Sequence, residues 1–258
     1  MHPSLSRAGV TFFAAFALLC SGVAHSVPQS MYAPAQHGAS FQACAEHFPN
    51  RQPFALAGLD ARWRLRGLCS DNFAVLYSAL TKTPLVVVER LNRAVLADAA
   101  DEVRTDEFFS DTRLARQDSA QLEDYTASGY DRGHLAAAAN QPTAAAMAQS
   151  FALSNVVPQH PQNNRKPWAK LESDTRKYVR RAAGDVFVFT GPLYRDVVKQ
   201  LAPSQVWVPT HLYKLVYDAT TGKRWAHVIP NTNDARLGPP MSYEAFVELT
   251  GLALLPPK

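Results

Sequence analysis

Eight residues, Ser128-Gly129-Tyr130-Asp131-Arg132-Gly133-His134-Leu135, set an acid, an arginine and a histidine within four positions, around a glycine. Gly133 lacks a Cβ, so its backbone could take conformations closed to other residues and aim Arg132 and His134 at one point. A guanidinium suits phosphate because its planar fork donates to two oxygens at once. A histidine titrates near neutral pH and can take a proton from water. Together they point to chemistry on a phosphate ester. The same residues would also suit a tight turn with an Asp–Arg ion pair and a satisfied histidine, and alone they do not choose.

Polar residues further along extend the first reading. Asn155, the pair Asn163-Asn164, and then Glu172 and Arg176 follow within a short span. A strand is expected to deliver Asn155, a loop the two asparagines, and a helix start Glu172 and Arg176. A strand–strand–helix unit could gather all of them into one pocket with His134. The chemistry would be phosphodiester hydrolysis: a histidine deprotonates water, arginines hold the phosphate, and a divalent ion neutralises the leaving oxygen. Magnesium keeps several waters and takes few protein ligands, so one amide ligand is enough and no carboxylate cluster is required.

The elements that must position these residues can be read from pattern. Phe41 to Phe48 has helical character, and Asp60 to Arg66 alternates with period two. Phe73 to Ser78 and Pro84 to Glu89 are apolar, partly β-branched runs that predict an antiparallel hairpin. Arg104 to Leu114 is expected to be an ordered loop or extended segment. Pro142 to Phe151 predicts a short helix, and Leu153 to Gln159 a strand stopped by Pro158. Pro161 to Lys166 is expected to be a loop, with Pro167 opening a helix to about Ala183. Val186 to Thr190, Val206 to Pro209, and the pair His211–Tyr217 and Arg224–Ile229 add strands, and Tyr243 to Gly251 a closing helix. Strand runs interrupted by a few helices predict an α+β domain with an antiparallel β-sheet core and flanking helices.

Tyr130-Asp131-Arg132-Gly133-His134-Leu135-Ala136 resembles the signature of the DNA/RNA non-specific endonucleases, which belong to the ββα-metal (His-Me finger) nucleases. Phe108, Asp111, Tyr125 to Gly129, Ser154 to Gln159, Asn164 with Trp168 and Leu171-Glu172, Thr190 to Leu193 and Val208 to His211 extend the likeness over roughly Cys69 to Leu255. The resemblance implies a ββα-metal catalytic unit, with His134 as the general base. It implies Asn164 as the single protein ligand of Mg2+, which Mn2+ or another divalent ion could replace. It gives Glu172 the part of the helix acid that holds water of the metal's shell, and Asn155 that of an amide supporting the site. Arg132 becomes the arginine beside the scissile phosphate, and Arg104 and Arg176 further phosphate contacts. Asp131 would orient its neighbours. The family often has a hydrophobic residue before the metal-binding Asn and Gln after it. Here Asn163 and Arg165 stand there, and Arg165 and Lys166 are expected to add positive charge beside the metal. Arg180-Arg181 reads as a solvated helix end, and His211 as structural.

The front of the chain reads as an exported protein's leader. Arg7 precedes an apolar run from Val10 to Val23, and Ala24-His25-Ser26 offers small residues for cleavage. Residues 1–26 are expected to be a signal peptide, 27–40 a flexible leader and 41–258 a single endonuclease domain. Cys20 raises a lipoprotein alternative, but Leu19 before it is not small. Cys44 and Cys69 would then remain as an even pair, expected to form one disulfide that adds roughly 3 kcal/mol on a chain-entropy argument. Net charge is +4, which permits a polyanion partner without demanding one.

The whole reading is an exported, periplasmic or extracellular, Mg2+-dependent endonuclease that cuts DNA and RNA with little sequence preference. It would hold them through the phosphate backbone, because phosphate contacts fix position without reading bases. The resemblance implies a 5′-phosphate product. No stable membrane association is expected after cleavage of the leader, and a homodimer is allowed. Alternatives are a hydrolase of another phosphodiester, or a catalytically weak or inactive nucleic-acid-binding protein.

Overall fold

The two apolar runs read as a hairpin are the centre of the sheet. In the computed structural model, which describes Met1 and residues 40–54, 61–195 and 197–256, β1 (Leu65–Cys69), β2 (Phe73–Ser78) and β3 (Thr83–Leu91) form an antiparallel meander. Further strands are β4 (Asp131–His134), β5 (Val156–Gln159), β6 (Val186–Leu193), β7 (Gln200–Leu201), β8 (Val206–Trp207), β9 (His211–Asp218), β10 (Arg224–Pro230) and β11 (Met241–Ser242). Seven of them make one antiparallel sheet in the order β1-β2-β3-β6-β9-β10-β11. The helices are α1 (Arg93–Asp98), α2 (Leu122–Tyr125), α3 (Ala144–Ser150), α4 (Pro161–Asn163), α5 (Ala169–Val179) and α6 (Tyr243–Thr250). The expected α+β fold with an antiparallel core and flanking helices is what the chain adopts.

Strand alternation splits the core into two layers. On β2, Ala74 and Leu76 face one side with Phe189 and Leu215, and there α6 brings Tyr243 and Phe246. Phe73, Val75 and Tyr77 face the other side, where Leu135, Val157, Trp168 and Leu171 pack. Those four residues belong to a separate unit: β4 and β5 pair antiparallel, and the helical segment from Pro161 to Val179 follows them. The ββα unit expected from the resemblance therefore lies on one face of the sheet.

Gly133 has a role different from the one its residue type suggests. Its φ is not positive, so no special conformation is needed. A Cβ there would lie 2.7 Å from Cβ of Gln159 and 2.1 Å from its Oε1. Glycine is required because β5 lays Gln159 across it. Gln159 is itself held, donating from Nε2 to Asn163 Oδ1 at 2.8 Å.

Several boundaries differ from the pattern reading. The expected alternation from Asp60 to Arg66 gives a strand only at its end: Asp60 lies outside the described residues, Ala61–Trp63 is a 3-10 turn, and β1 starts at Leu65. Asn155 lies in a 3-10 turn, Leu153–Asn155, and β5 runs through Pro158, which pairs with Arg132 in the two-stranded β4–β5 sheet. The helix opens at Pro161, not Pro167, so Asn163 and Asn164 lie on helix rather than loop. Pro167 sits inside a π-helical turn, Asn164–Trp168, before α5 continues to Val179. The widened turn accommodates a proline that would clash with the carbonyl four residues back in a regular helix.

A disulfide joins Cys44, in the 3-10 segment Gln42–His47, to Cys69 at the end of β1, with Cα atoms 5.6 Å apart. Among the described residues, no helix is long and apolar enough to cross a membrane. The expected signal peptide, Cys20 and almost all of the flexible leader lie outside the described residues.

Candidate active site

A cleft of about 550 Å³ opens between β4, the start of the long helix and the loop before α2. Its walls include Arg104, Phe108, Asp131, Arg132, His134, Asn164, Glu172 and Arg176. Of the residues singled out in the sequence for the reaction, all but Asn155 reach this cleft.

His134 ends β4 with its ring wedged between Phe108 (centroids 5.1 Å apart) and Phe151 (4.8 Å, edge-on). Nε2 is buried and has no hydrogen-bond partner among the described residues. Burial, and then the charge of Arg104, push the imidazole down to a pKa of about 3, so it is neutral at pH 7 and can accept a proton. Arg132 lies against Phe108 (5.1 Å) and Tyr125 (5.9 Å), and its Nε is buried with no partner among the described residues. A buried donor without an acceptor is costly, and a phosphate oxygen would satisfy this one. Asp111 forms a buried ion pair with Arg113 (2.6 Å) and accepts a hydrogen bond from Ser154. Burial acts to raise the Asp111 carboxyl, but Arg113 and these hydrogen bonds bring it below the usual value.

Asn155 acts from behind the cleft. It is fully buried, accepts from the Ala136 amide at Oδ1, and donates from Nδ2 to the carbonyls of Ala136 and Ser150, all at 2.9 Å. Its own carbonyl accepts from the Leu135 amide at 3.0 Å. The side chain thus fixes the backbone directly after His134.

The other wall is built from hydrogen bonds. Asn164 donates from Nδ2 to Asp131 Oδ2 (2.9 Å), which leaves the carbonyl end for the cleft. Arg165 grips the same carboxylate twice, at 2.7 and 2.9 Å. Its charge is therefore matched by Asp131 and not offered beside a metal, as its sequence position had led us to expect. Asn163 points the other way: it is fully buried, accepts from Gln159 and donates to the Pro230 carbonyl. The helix start is fastened from a distant loop, with Asn231 accepting from the His160 amide (2.9 Å) and Asn233 from the Gln162 amide (3.2 Å).

Glu172 lies two turns after Asn164 and also lines the cleft. Burial raises its carboxyl, opposed first by Lys214 and then by Arg176 and Arg104. Arg176 does not close an ion pair with Glu172 but turns to Asn140 Oδ1 at 3.4 Å. Arg104 sits over the Phe151 ring (5.0 Å) and pairs with exposed Asp106 (2.6 Å). One amide carbonyl with a carboxylate nearby fits a hard divalent cation that keeps most of its water. Among the described residues no group of three or more His, Cys, Asp or Glu is arranged to hold a metal. The residues that sequence reasoning passed over are Phe151 and the buried pair Glu89 and Lys214. A charge in each of the apolar runs Val86–Glu89 and Leu212–Val216 was the available signal.

A model of the DNA/RNA non-specific endonuclease family matches residues 56–253. The chain is 34% identical over 195 residues to the mitochondrial nuclease EXOG of Xenopus laevis, covering 69% of this chain and 52% of that one. It is 35% identical over 189 residues to human mitochondrial endonuclease G, covering 66% and 63%. Thus it spans between about half and just under two thirds of these relatives' lengths. A chain in the crystal structure of the EndoG/EndoGI complex, which addresses the mechanism of EndoG inhibition, superposes with a TM-score of 0.65 at 27% identity, covering 78% of this chain and 87% of that one. The relatives are mitochondrial nucleases by name, and this overturns the expected export to the periplasm or the medium. A short apolar stretch before small residues marks a leader poorly, because it does not by itself encode the destination compartment.

Proposed function

We propose that this chain, which belongs to the DNA/RNA non-specific endonuclease family, is a divalent-metal-dependent endonuclease that hydrolyses phosphodiester bonds of DNA and RNA with little sequence preference. The observation that supports this most is the convergence on one cleft of His134 and Arg132 from β4 with Asn164, Glu172 and Arg176 from the following helix. Residues 41–258 would act as one endonuclease domain, and every residue the reading needs comes from a single chain.

His134 takes a proton from the attacking water at a ring nitrogen. Its ring stays neutral through burial, and Phe108 and Phe151 keep it from turning away. Arg132 satisfies its open Nε on a phosphate oxygen, and Arg104 and Arg176 hold the charge that grows on the phosphate. The carbonyl of Asn164 would hold Mg2+, with Mn2+ or another divalent ion able to substitute, and Glu172 would accept hydrogen bonds from water around it. When bound, such an ion neutralises charge developing on the leaving oxygen. Backbone contacts alone explain the lack of base preference.

The test is incubation of the purified chain with plasmid DNA and with total RNA, with Mg2+ and with EDTA. Cleavage of both that EDTA abolishes is expected. No EDTA-sensitive cleavage of either by folded protein overturns the proposal and leaves a nucleic-acid-binding protein with an inactive site.

A further inference from the structure

The sheet surface beneath the cleft carries charges that an apolar core does not ordinarily admit. Alternation puts Glu89 of β3, Thr190 of β6 and Lys214 of β9 on the face turned to the ββα unit, the face of Val87 and Leu212. Val87, Thr190 and Lys214 lie in one row across the three strands, with Glu89 two residues further along β3. Lys214 is 2% exposed and Glu89 1%. Lys214 donates from Nζ to Thr190 Oγ1 at 2.8 Å, and its ammonium lies 5.0 Å from the centre of the Trp168 ring. Trp168 is one turn before Glu172 on the helix, and its indole N–H donates to the His134 carbonyl at 3.4 Å. Glu89 accepts from Asn140 Nδ2 at 3.0 Å, and Asn140 in turn receives Arg176.

Burying an ammonium without a counter-charge costs several kcal/mol. Lys214 makes no close ion pair among the described residues, and the carboxylates that act on it are Glu172 and Glu89. Burial pushes Glu89 up to about 7, against the pull of Lys214, and burial raises Glu172 as well; position separates them, because the ammonium lies against Trp168, one helical turn before Glu172. The cleft carboxylate is the group for which a permanent positive charge under the sheet has a use.

We propose that Lys214 is a positioning residue for the reaction: anchored by Thr190 and Trp168, its buried ammonium attracts the Glu172 carboxylate from behind the cleft, through space and without a direct ion pair. Glu89 is its second counter-charge and, through Asn140, steadies Arg176. The proposal rests on the nuclease reading above and adds a residue that no substrate touches.

The test is a double-mutant cycle on plasmid cleavage at saturating Mg2+. Lys214→Met keeps an unbranched apolar stem and removes the charge. It should lower kcat by tenfold or more and change KM for DNA less than twofold, because the phosphate-holding arginines are untouched. In a Glu172→Gln background the same change should cost less than twofold, since the charge it serves is gone. Losses that simply multiply, or an unchanged kcat in Lys214→Met, overturn the inference. Lys214→Met/Glu89→Gln removes both buried charges and keeps the test open where the single variant does not fold. It should recover stability with kcat still low, and full recovery of kcat would reduce Lys214 to a structural partner of Glu89. Thr190→Val, which removes only the anchor, should lower kcat several-fold, and wild-type turnover there also counts against the proposal. An inactive wild type sinks the nuclease reading and this inference together, whereas an active wild type with an indifferent Lys214 sinks this inference alone.

Discussion

The two walls of the cleft are built by opposite means. Around His134 and Arg132 the neighbours are aromatic rings, and two buried nitrogens, Nε2 of His134 and Nε of Arg132, have no partner among the described residues. Around Asn164 the neighbours are hydrogen-bonding groups: Asp131 is held by Arg165 and holds Asn164, while Asn163 is fixed by Gln159 and Pro230. Rings set orientation and exclude water without occupying the lone pairs and N–H groups that must act on substrate. An amide needs more, because its two ends differ only in oxygen and NH2, and a carboxylate on one side selects which end faces the cleft.

The contrast can be broken by substitution. His134→Ala should give the largest loss, about 10²–10⁴-fold in turnover, with DNA binding by gel shift nearly intact. Loss of binding in step with turnover would mean that this wall holds substrate and does no proton transfer. Asn164→Ala should come next, weakening metal-dependent cleavage while leaving the melting temperature close to wild type. Asn163→Ala should do the reverse, costing about 1–3 kcal/mol of stability through unsatisfied buried groups, measured by denaturant titration. If Asn163→Ala instead has the larger effect on cleavage, the ligand assignment is off by one residue. Asp131→Asn should lower activity roughly tenfold, on the scale of groups that orient a metal ligand. Arg165→Ala, removing only an exposed partner of Asp131, should lower it less. Equal effects would show that Arg165 itself contacts nucleic acid.

A further effect is one of stability with pH. The His134 pKa falls from 6.5 unfolded to about 3 folded, so the folded state binds fewer protons between those values. Its contribution is complete above pH 6.5 and is lost as pH falls through 3. His134→Gln should therefore show a smaller fall in melting temperature between pH 7 and pH 4 than wild type. An identical fall in both would place the acid sensitivity elsewhere, outside the aromatic wall.

Much of this was legible in the residues. The hairpin of β2 and β3, the buried β6, the hairpin of β9 and β10 and the closing helix all follow from apolar runs and their turn residues. The start of the long helix was not. Pro167 is a strong local opening signal, but the segment's true caps, Asn231 and Asn233, lie about 70 residues further along the chain, and a π turn admits the proline. Asn155 was read through the resemblance as an amide supporting the site, but the backbone groups that it holds were not legible. Its position behind His134 comes from the β4–β5 pairing and the turn before β5.

By itself the sequence determined the fold class and the family, because alternating apolar runs and a dense Asp-Arg-Gly-His motif are local properties. It did not determine the compartment, since an apolar leader carries too little chemistry to specify one. Only tertiary structure decided that Gly133 is there to make room for Gln159, that Asp131 turns the Asn164 amide, and that Glu89 and Lys214 meet beneath the cleft. The last two stand on β3 and β9, more than 100 residues apart along the chain. They share an environment because β6 comes between those strands in the sheet and the ββα unit closes over all three. Sheet order is set by which apolar faces bury one another, a property of the whole chain that no short stretch contains.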